Sequence, residues 1–207
     1  MINDYVIEKL TLFFSKGLED PSQDNIDILK DGITVLVLNI PKTILLILIA
    51  ILLNQLQTVL VIMFFYGIIR NFSKGMHAKS ALGCFALGMI TYLGITFISP
   101  LLVIPSSLYN TLFMICFILY VRYAPSATAE RPVGKKQHRN LKIASLLTIV
   151  IYWLIGTVYM DCLGNLVLLS VIAQLIWILP ITYKISNQKG GVIYEFKETN
   201  EKDCEFL

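Results

Sequence analysis

Long apolar runs dominate the chain between residues 32 and 183. The apolar residues fall in continuous blocks, not at the two-residue or 3.6-residue period of a strand or helix with one buried face. A helix that crosses a bilayer needs about 20 apolar residues, so the blocks predict an all-α integral membrane protein with about six hydrophobic segments. These segments are 32–56, 57–70, 79–98, 107–122, 143–160 and 163–183.

The first two segments leave the number of full spans open. Segment 32–56 contains Pro41 and Lys42, so either the whole segment crosses or only its second half does. Segment 57–70 is short for a span of about 20 residues. Either six helices cross the membrane, or four cross and the other pieces are re-entrant or interfacial.

The N-terminal segment 1–31 has a different pattern. Its first 18 residues carry apolar side chains at helical spacing with charges between them, which predicts an amphipathic helix on the membrane surface. No basic region, apolar core and cleavage site follow Met1, so we expect no cleaved signal peptide. The predicted organisation is therefore an interfacial segment 1–31, a membrane domain 32–183 and a tail 184–207.

Lysine and arginine occur on alternate connections. They gather in three regions, 70–79, 122–142 and the tail, whereas connections 54–57, 98–106 and 161–165 hold none. Cytoplasmic loops of membrane proteins carry the excess of Lys and Arg. The pattern therefore predicts that both termini and the basic loop 123–142 are cytoplasmic.

Composition agrees with a membrane domain. Hydrophobic residues make up 56% of the 207 residues and charged residues only 15%, whereas soluble domains carry about 25% charged residues. We expect the lipid bilayer as surroundings, mostly lipid-facing or interfacial aromatic side chains, and no nucleic-acid partner.

The four cysteines do not suggest a metal site or a disulfide framework. They are scattered over the chain with no CxxC pair and no histidine at zinc-ligand spacing: Cys84, Cys116, Cys162 and Cys204. We therefore predict neither a metal nor another cofactor.

One short stretch, 70–84, carries candidate chemistry at the predicted cytoplasmic ends of the second and third segments. It contains His77 and Cys84, and an imidazole can take the proton of a thiol so that the thiolate attacks a peptide carbonyl. On one continuous helix, their seven-residue spacing would separate the two by about 10 Å along the axis, too far for a hydrogen bond. A catalytic pair therefore requires a bend, which Gly75 permits.

Acidic residues narrow the possible chemistry. No Asp or Glu occurs between residues 32 and 129, which excludes a local Cys-His-Asp triad and an intramembrane aspartyl protease. GxSxG and HExxH motifs are absent as well. A third group beside the Cys-His pair is left open between an amide, a hydroxyl such as Ser80 and a backbone carbonyl.

The residues of this stretch resemble the AgrB family of accessory gene regulator membrane proteases. The pattern consists of an arginine, Gly-x-His-Ala, a serine and a cysteine seven residues after the histidine: Arg70, Gly75, His77, Ala78, Ser80 and Cys84. The basic loop adds 123–125 (Tyr-Ala-Pro) and 131–133 (Arg-Pro-Val). Lys74 and Lys79 depart from many relatives, and neither belongs to the Cys-His pair.

The resemblance implies a membrane cysteine endopeptidase. Cys84 would be the nucleophile and His77 the base, with Arg70, Gly75, Lys79 and Ser80 supporting them or binding substrate. The substrate would be an AgrD-like pheromone propeptide, cut through a thioester acyl-enzyme and closed to a thiolactone or lactone ring. A homodimer in the cell membrane of a Gram-positive bacterium is expected.

Two other classes of protein also explain the hydropathy. A small transporter would carry polar groups within its spans, but here these are few: Asn110, Thr148 and Gln174. A non-catalytic membrane scaffold would use Cys84 only for packing. Under either alternative, replacing Cys84 by Ser changes little.

Overall fold

The fold is known from a computed structural model. It describes residues 2–17, 22–76, 81–128, 135–186 and 190–191. Four positions of the predicted motif, 77–80, lie outside the described residues, and so do 131–133 of the basic loop and most of the tail.

The described part of the chain is mostly helical, with short loops and turns and one pair of two-residue strands. Its eight α-helices, α1 to α8, are Ile2–Ser15, Gln23–Leu52, Leu56–Ser73, Ala81–Ile98, Ser106–Tyr123, Lys135–Val158, Asn165–Ile178 and Pro180–Ile185. A 3₁₀ turn, Ser99–Leu101, follows α4, and a π-helical turn, Met160–Gly164, precedes α7. Strand β1 (Ala127–Thr128) pairs antiparallel with β2 (Gly190–Gly191). The predicted all-α membrane protein is confirmed.

Residues 1–56 form a compact unit of their own, in which α1 packs on α2. Ile7 and Thr11 of α1 are buried, and the Thr11 hydroxyl donates to the Ile7 carbonyl within the helix. Tyr5 and Phe13 are exposed. An N-terminal helix is therefore present, as the spacing predicts, with Ile7 and Thr11 on its packed face and apolar side chains such as Phe13 exposed.

Helix α2 runs without interruption through Pro41. A proline inside a helix removes one backbone hydrogen bond and usually kinks or ends it, which is why the sequence leaves a half-span open here. The continuous helix also crosses the sequence boundary drawn between residues 31 and 32. Its apolar portion from Gly32 to Leu52 is long enough to cross a bilayer as one piece.

Among the described residues, four stretches are long and apolar enough to span a membrane: Gly32–Leu52, Leu56–Ser73, Leu82–Leu101 and Gln137–Val158. Helix α7 is a shorter apolar helix. Helix α5, which covers the predicted fourth segment, has 18 residues. The chain is a multi-pass membrane protein.

Residues 57–207 form the second unit, and tyrosines lie in its core. The expectation that aromatic side chains mostly face lipid is wrong for Tyr109, Tyr120 and Tyr152, which are buried. The Tyr120 hydroxyl donates to the Val171 carbonyl at 3.1 Å, and the Tyr152 hydroxyl to the Phe65 carbonyl at 2.7 Å. A hydroxyl paired with a carbonyl can be buried at low cost, which the sequence pattern does not reveal.

The helices of this second unit bring distant connections together at each end. At one end, the Asn165 amide donates to the carbonyls of Ser99 and Leu102, so connections 98–106 and 161–165 meet. At the other end, the chain after α3 meets the chain after α5 and the end of α7. Two of the three connections that lack Lys and Arg, 98–106 and 161–165, therefore meet at one end of this unit, and the candidate chemistry lies at the other.

Candidate functional site

Helix α3 ends in a sharp bend directly before His77. Its last residue is Ser73, and the next two residues have left-handed backbone, with φ of 56° at Lys74 and 121° at Gly75. A left-handed backbone stops an α-helix, and glycine is the residue that adopts it without steric cost. Helix α3 therefore does not continue into His77, and the chain between His77 and Cys84 is described only from Ala81 onward.

Gly75 is confined by space as well as by φ. A Cβ at this position would lie 3.1 Å from the Trp177 carbonyl oxygen and 3.3 Å from Ile178 Cγ2. The backbone of this bend thus lies directly on the end of α7. Only glycine meets both demands, so the proposed role of Gly75 in bending the chain agrees with its geometry.

The end of α7 provides a hydrogen-bond acceptor for the bend. Helix α7 ends at Ile178, one residue before the extended Leu179 that precedes Pro180. The last carbonyls of a helix have no partner within it. The Met76 N–H donates to one of them, the Trp177 carbonyl, at 3.1 Å.

Ser126 fixes the bend from a second side. Its backbone forms an isolated bridge with Lys74: the Gly75 N–H donates to the Ser126 carbonyl at 3.1 Å, and the Ser126 N–H donates to the Ser73 carbonyl at 3.0 Å. The Ser126 hydroxyl is buried and donates to the Tyr183 hydroxyl at 2.8 Å. Ser126 therefore bonds the residues on both sides of Lys74.

A third contact comes from α7 itself. Gln174 is completely buried, and its Nε2 donates to Ser73 Oγ at 2.8 Å and to the Lys74 carbonyl at 2.6 Å. Ser73 Oγ in turn donates to the Ile69 carbonyl at 2.7 Å. The end of α3 is thus tied to α7 by side chains as well as by backbone.

Arg70 lies one turn before the bend. Its Nη1 donates to the Tyr66 hydroxyl at 3.0 Å, and its Nη2 lies 3.5 Å from the Met76 carbonyl, a long hydrogen bond. Its guanidinium also lies 5.9 Å from the centre of the Tyr66 ring. Arg70 therefore contacts the last described residue before His77.

Cys84 lies in the first turn of α4 as a free thiol that is partly accessible. The Tyr66 hydroxyl, which accepts from Arg70, lies within electrostatic range of the Cys84 thiol. Tyr66 also packs edge-on against Tyr92 of α4, with ring centres 5.4 Å apart. Around Tyr66, the structure thus brings Arg70 and Cys84 of the predicted motif into one neighbourhood.

The other predicted site residues divide into two groups. Gly75 lies in the same neighbourhood, whereas His77, Lys79 and Ser80 lie outside the described residues. In the part of the chain that is described, no three His, Cys, Asp or Glu side chains cluster closely enough to hold a metal ion.

Several residues of this neighbourhood were not singled out as site residues from the sequence. They are Tyr66, Ser73, Ser126, Gln174, Trp177 and Tyr183. An amide within an apolar helix is a signal that could have identified Gln174, because polar groups at membrane depth are costly. The sequence around the other five residues does not distinguish them from the rest of a membrane protein, so only the fold shows that they belong to this neighbourhood.

Similarity to known proteins agrees with this arrangement. The profile of accessory gene regulator B matches residues 7–179, which include α3, the bend, Cys84 and α7. The chain belongs to the AgrB family. The match covers both units of the fold, so AgrB membership applies to the chain as a whole and places it in accessory gene regulator systems of quorum sensing.

Individual AgrB relatives are distant but cover most of the chain. A putative AgrB-like protein of Clostridium acetobutylicum is 28% identical over 83% of this chain and 83% of its own. The accessory gene regulator protein B of Staphylococcus intermedius is 27% identical over 87% of this chain and 96% of its own, and that of Staphylococcus saprophyticus is 29% identical over 82% and 92%. No solved structure matches the chain.

Proposed function

We propose that this chain is a membrane cysteine endopeptidase that processes an AgrD-like pheromone propeptide, with Cys84 as nucleophile and His77 as base. The observation that carries the proposal is the bend at Lys74 and Gly75, held on α7 and Ser126. It ends α3 before His77, so the chain has already turned where His77 follows, which supports a return of the imidazole toward Cys84. The partly accessible thiol in the first turn of α4 supplies the nucleophile.

The chemistry proceeds in two balanced steps. The Cys84 sulfur attacks the carbonyl carbon of the scissile bond, the carbon–nitrogen bond breaks, and the thiol proton passes through His77 to the leaving amine. The C-terminal tail of the propeptide departs with a free amino group. A thiol or hydroxyl of the remaining peptide then attacks the thioester, which closes a thiolactone or lactone ring and returns the Cys84 thiol.

Two features of the proposal follow from its site. Water must be kept from the thioester, and an apolar surround at the end of a membrane domain does this. The ring-closing group is on the same chain as the thioester carbonyl, so its effective concentration is high.

The remaining assignments are part of the same proposal. Arg70 holds the chain before His77, while Lys79 and the cationic residues of 131–142 bind the acidic part of the propeptide. The active site faces the cytoplasm, as do both termini, because the cationic connections lie on that side. The protein acts as a homodimer.

The test is co-expression with an epitope-tagged AgrD-like propeptide, followed by gel and mass spectrometry. The wild type should shorten the propeptide and release a ring-closed product, and Cys84→Ala and His77→Ala should not. Cys116→Ala and His138→Ala are matched controls, because Cys116 is a buried free cysteine of α5 and His138 lies in α6. If Cys84→Ala and His77→Ala process the peptide like the wild type, the pair is structural and transport becomes the function to test.

A further inference from the structure

Gln174 is an amide where an apolar side chain would be expected. It lies in α7, between Ala173 and Leu175, and none of its surface is exposed. A buried amide costs free energy unless its polar atoms are hydrogen-bonded. The presence of Gln174 therefore suggests that it makes hydrogen bonds that an apolar side chain could not make.

The partners of Gln174 are the two residues at which α3 ends. Its Nε2 donates to the side chain of Ser73 and to the backbone carbonyl of Lys74. The last carbonyls of a helix lack partners inside it, and here the chain turns left-handed immediately afterwards. The amide thus replaces a bond that helix continuation would have supplied, at the residue where the chain changes direction.

The side-chain oxygen of Gln174 lacks a hydrogen-bond donor among the described residues. This oxygen, Oε1, is buried. An unpaired buried acceptor costs about 1–3 kcal/mol. The side chain is therefore oriented to serve the bend and not to satisfy both of its own polar atoms.

Gln174 and Trp177 hold three consecutive residues of the bend. The Gln174 amide holds the Lys74 carbonyl, the Trp177 carbonyl accepts from Met76, and Gly75 lies against Trp177 between them. These bonds determine the direction in which the chain leaves α3, one residue before His77. Because His77 follows Met76 directly, the position of the Met76 main chain limits the positions from which the His77 side chain can extend.

We propose that Gln174 is a positioning residue, which holds the bend after α3 on α7 so that the His77 imidazole reaches Cys84. This inference rests on the proposed function. Gln174 itself contacts neither the propeptide nor the thiol in this role. A misplacement of about 1 Å in a catalytic group can lower a rate about 100-fold. Loss of the hydrogen bonds from Gln174 to Ser73 and Lys74 should therefore affect the chemical step and not propeptide binding.

The test compares two variants of α7 in proteoliposomes that contain a synthetic AgrD-like propeptide. Gln174→Met retains length and removes both donors, whereas Ser170→Ala removes a buried hydroxyl that bonds only the Leu166 carbonyl of its own helix. We expect Gln174→Met to lower kcat about 10- to 100-fold with KM changed less than about twofold. Ser170→Ala should match the wild type in both.

A second readout separates positioning from general loosening. The rate of Cys84 alkylation is followed against pH by peptide mass spectrometry in wild type, His77→Ala and Gln174→Met. We expect Gln174→Met to follow the profile of His77→Ala and Ser170→Ala that of the wild type. If Gln174→Met does not accumulate in membranes, Gln174→Asn replaces it, since it retains an amide that is too short to reach both acceptors.

The outcomes distinguish the inference from the function on which it rests. If the wild type cleaves and Gln174→Met retains its kcat and alkylation profile, the positioning role is overturned and the peptidase stands. If the wild type neither cleaves nor differs from His77→Ala in alkylation, the proposed function is overturned and the positioning role with it. A rise in KM at unchanged kcat would also contradict positioning, because it would place Gln174 in propeptide binding.

Discussion

The substitution Gly75→Ala tests whether the bend after α3 positions the catalytic pair. At φ of 121°, an alanine would have strained backbone, and its Cβ would lie 3.1 Å from the Trp177 carbonyl oxygen. Backbone strain of this kind costs about 1–3 kcal/mol. The bend can relieve it by moving off α7 and Ser126, which breaks two main-chain hydrogen bonds worth about 0.5–1.5 kcal/mol each.

The strain of about 1–3 kcal/mol and the loss of hydrogen bonds of about 1–3 kcal/mol partly cancel, so the displaced bend is favoured by up to about 2 kcal/mol. The fraction of molecules with the native arrangement falls accordingly. Only that fraction reacts, so the cleavage rate should fall by up to about 30-fold. The amount of protein in the membrane should change little, since the bend is a short part of the contact surface of α7.

The assay is the initial rate of propeptide cleavage in proteoliposomes at equal protein content. Gly67→Ala is the matched control, because Gly67 lies in α3 and no heavy atom outside its own helix backbone and chain neighbours lies within 4 Å of its added Cβ. It should retain the wild-type rate. If Gly75→Ala cleaves as fast as Gly67→Ala, the bend does not position the catalytic pair, and the reasoning from φ and close contact is refuted.

Further predictions concern the surroundings of the bend and the core. Arg70→Lys should lower the cleavage rate about 10-fold or more, because a lysine cannot reach the Tyr66 hydroxyl and the Met76 carbonyl together. Gly156→Ala should lower the unfolding temperature in detergent, because its Cβ would overlap the Tyr109 hydroxyl. That hydroxyl has no hydrogen-bond partner among the described residues, so Tyr109→Phe alone should change stability little. It should restore the Gly156→Ala variant in part, because the ring Cζ would still lie 2.9 Å from the added Cβ.

Each of these predictions has an outcome that contradicts it. An Arg70→Lys variant with wild-type activity would show that charge alone suffices at this position. A Gly156→Ala variant that Tyr109→Phe does not rescue would mean that the overlap with the hydroxyl is not the source of instability. Unfolding is followed by intrinsic fluorescence, with Gly88→Ala as control, since no heavy atom outside its own helix backbone and chain neighbours lies within 4 Å of its added Cβ.

Much of the fold is readable from the sequence because lipid imposes a simple pattern. Apolar blocks, the amphipathic start and the connections without Lys or Arg predict the helices and the order in which they occur. The continuity of α2 through Pro41 was not predictable, since a proline in an apolar segment either ends or merely interrupts the hydrogen bonds of a helix.

The candidate site also contains features that the sequence predicts and features that only the fold shows. Gly75 in the sequence predicts the turn that ends α3, whereas the approach of His77 to Cys84 stays a prediction. The acceptors and donors that hold the bend come from Ser126 and α7, about 50 and 100 residues further along the chain. No local pattern announces such contacts, because hydrogen bonds between distant segments depend on how the helices pack.

Buried tyrosines are a second feature that the sequence alone does not predict. Tyr120 and Tyr152 resemble lipid-facing aromatic residues in composition, but each hydroxyl is paired with a backbone carbonyl of another helix. A tyrosine is amphipathic, so the same side chain suits either the membrane interface or a core with a free carbonyl. Only packing decides between the two.

The most direct test of the peptidase proposal is to trap the acyl-enzyme. A propeptide whose ring-closing Cys or Ser is replaced by Ala cannot discharge the thioester, so the N-terminal fragment should remain attached to the protein. Peptide mass spectrometry should locate the adduct on Cys84, hydroxylamine should release it, and Cys84→Ala should not form it. An adduct on Cys116, Cys162 or Cys204, or cleavage by the wild type without any adduct, would contradict Cys84 as the nucleophile.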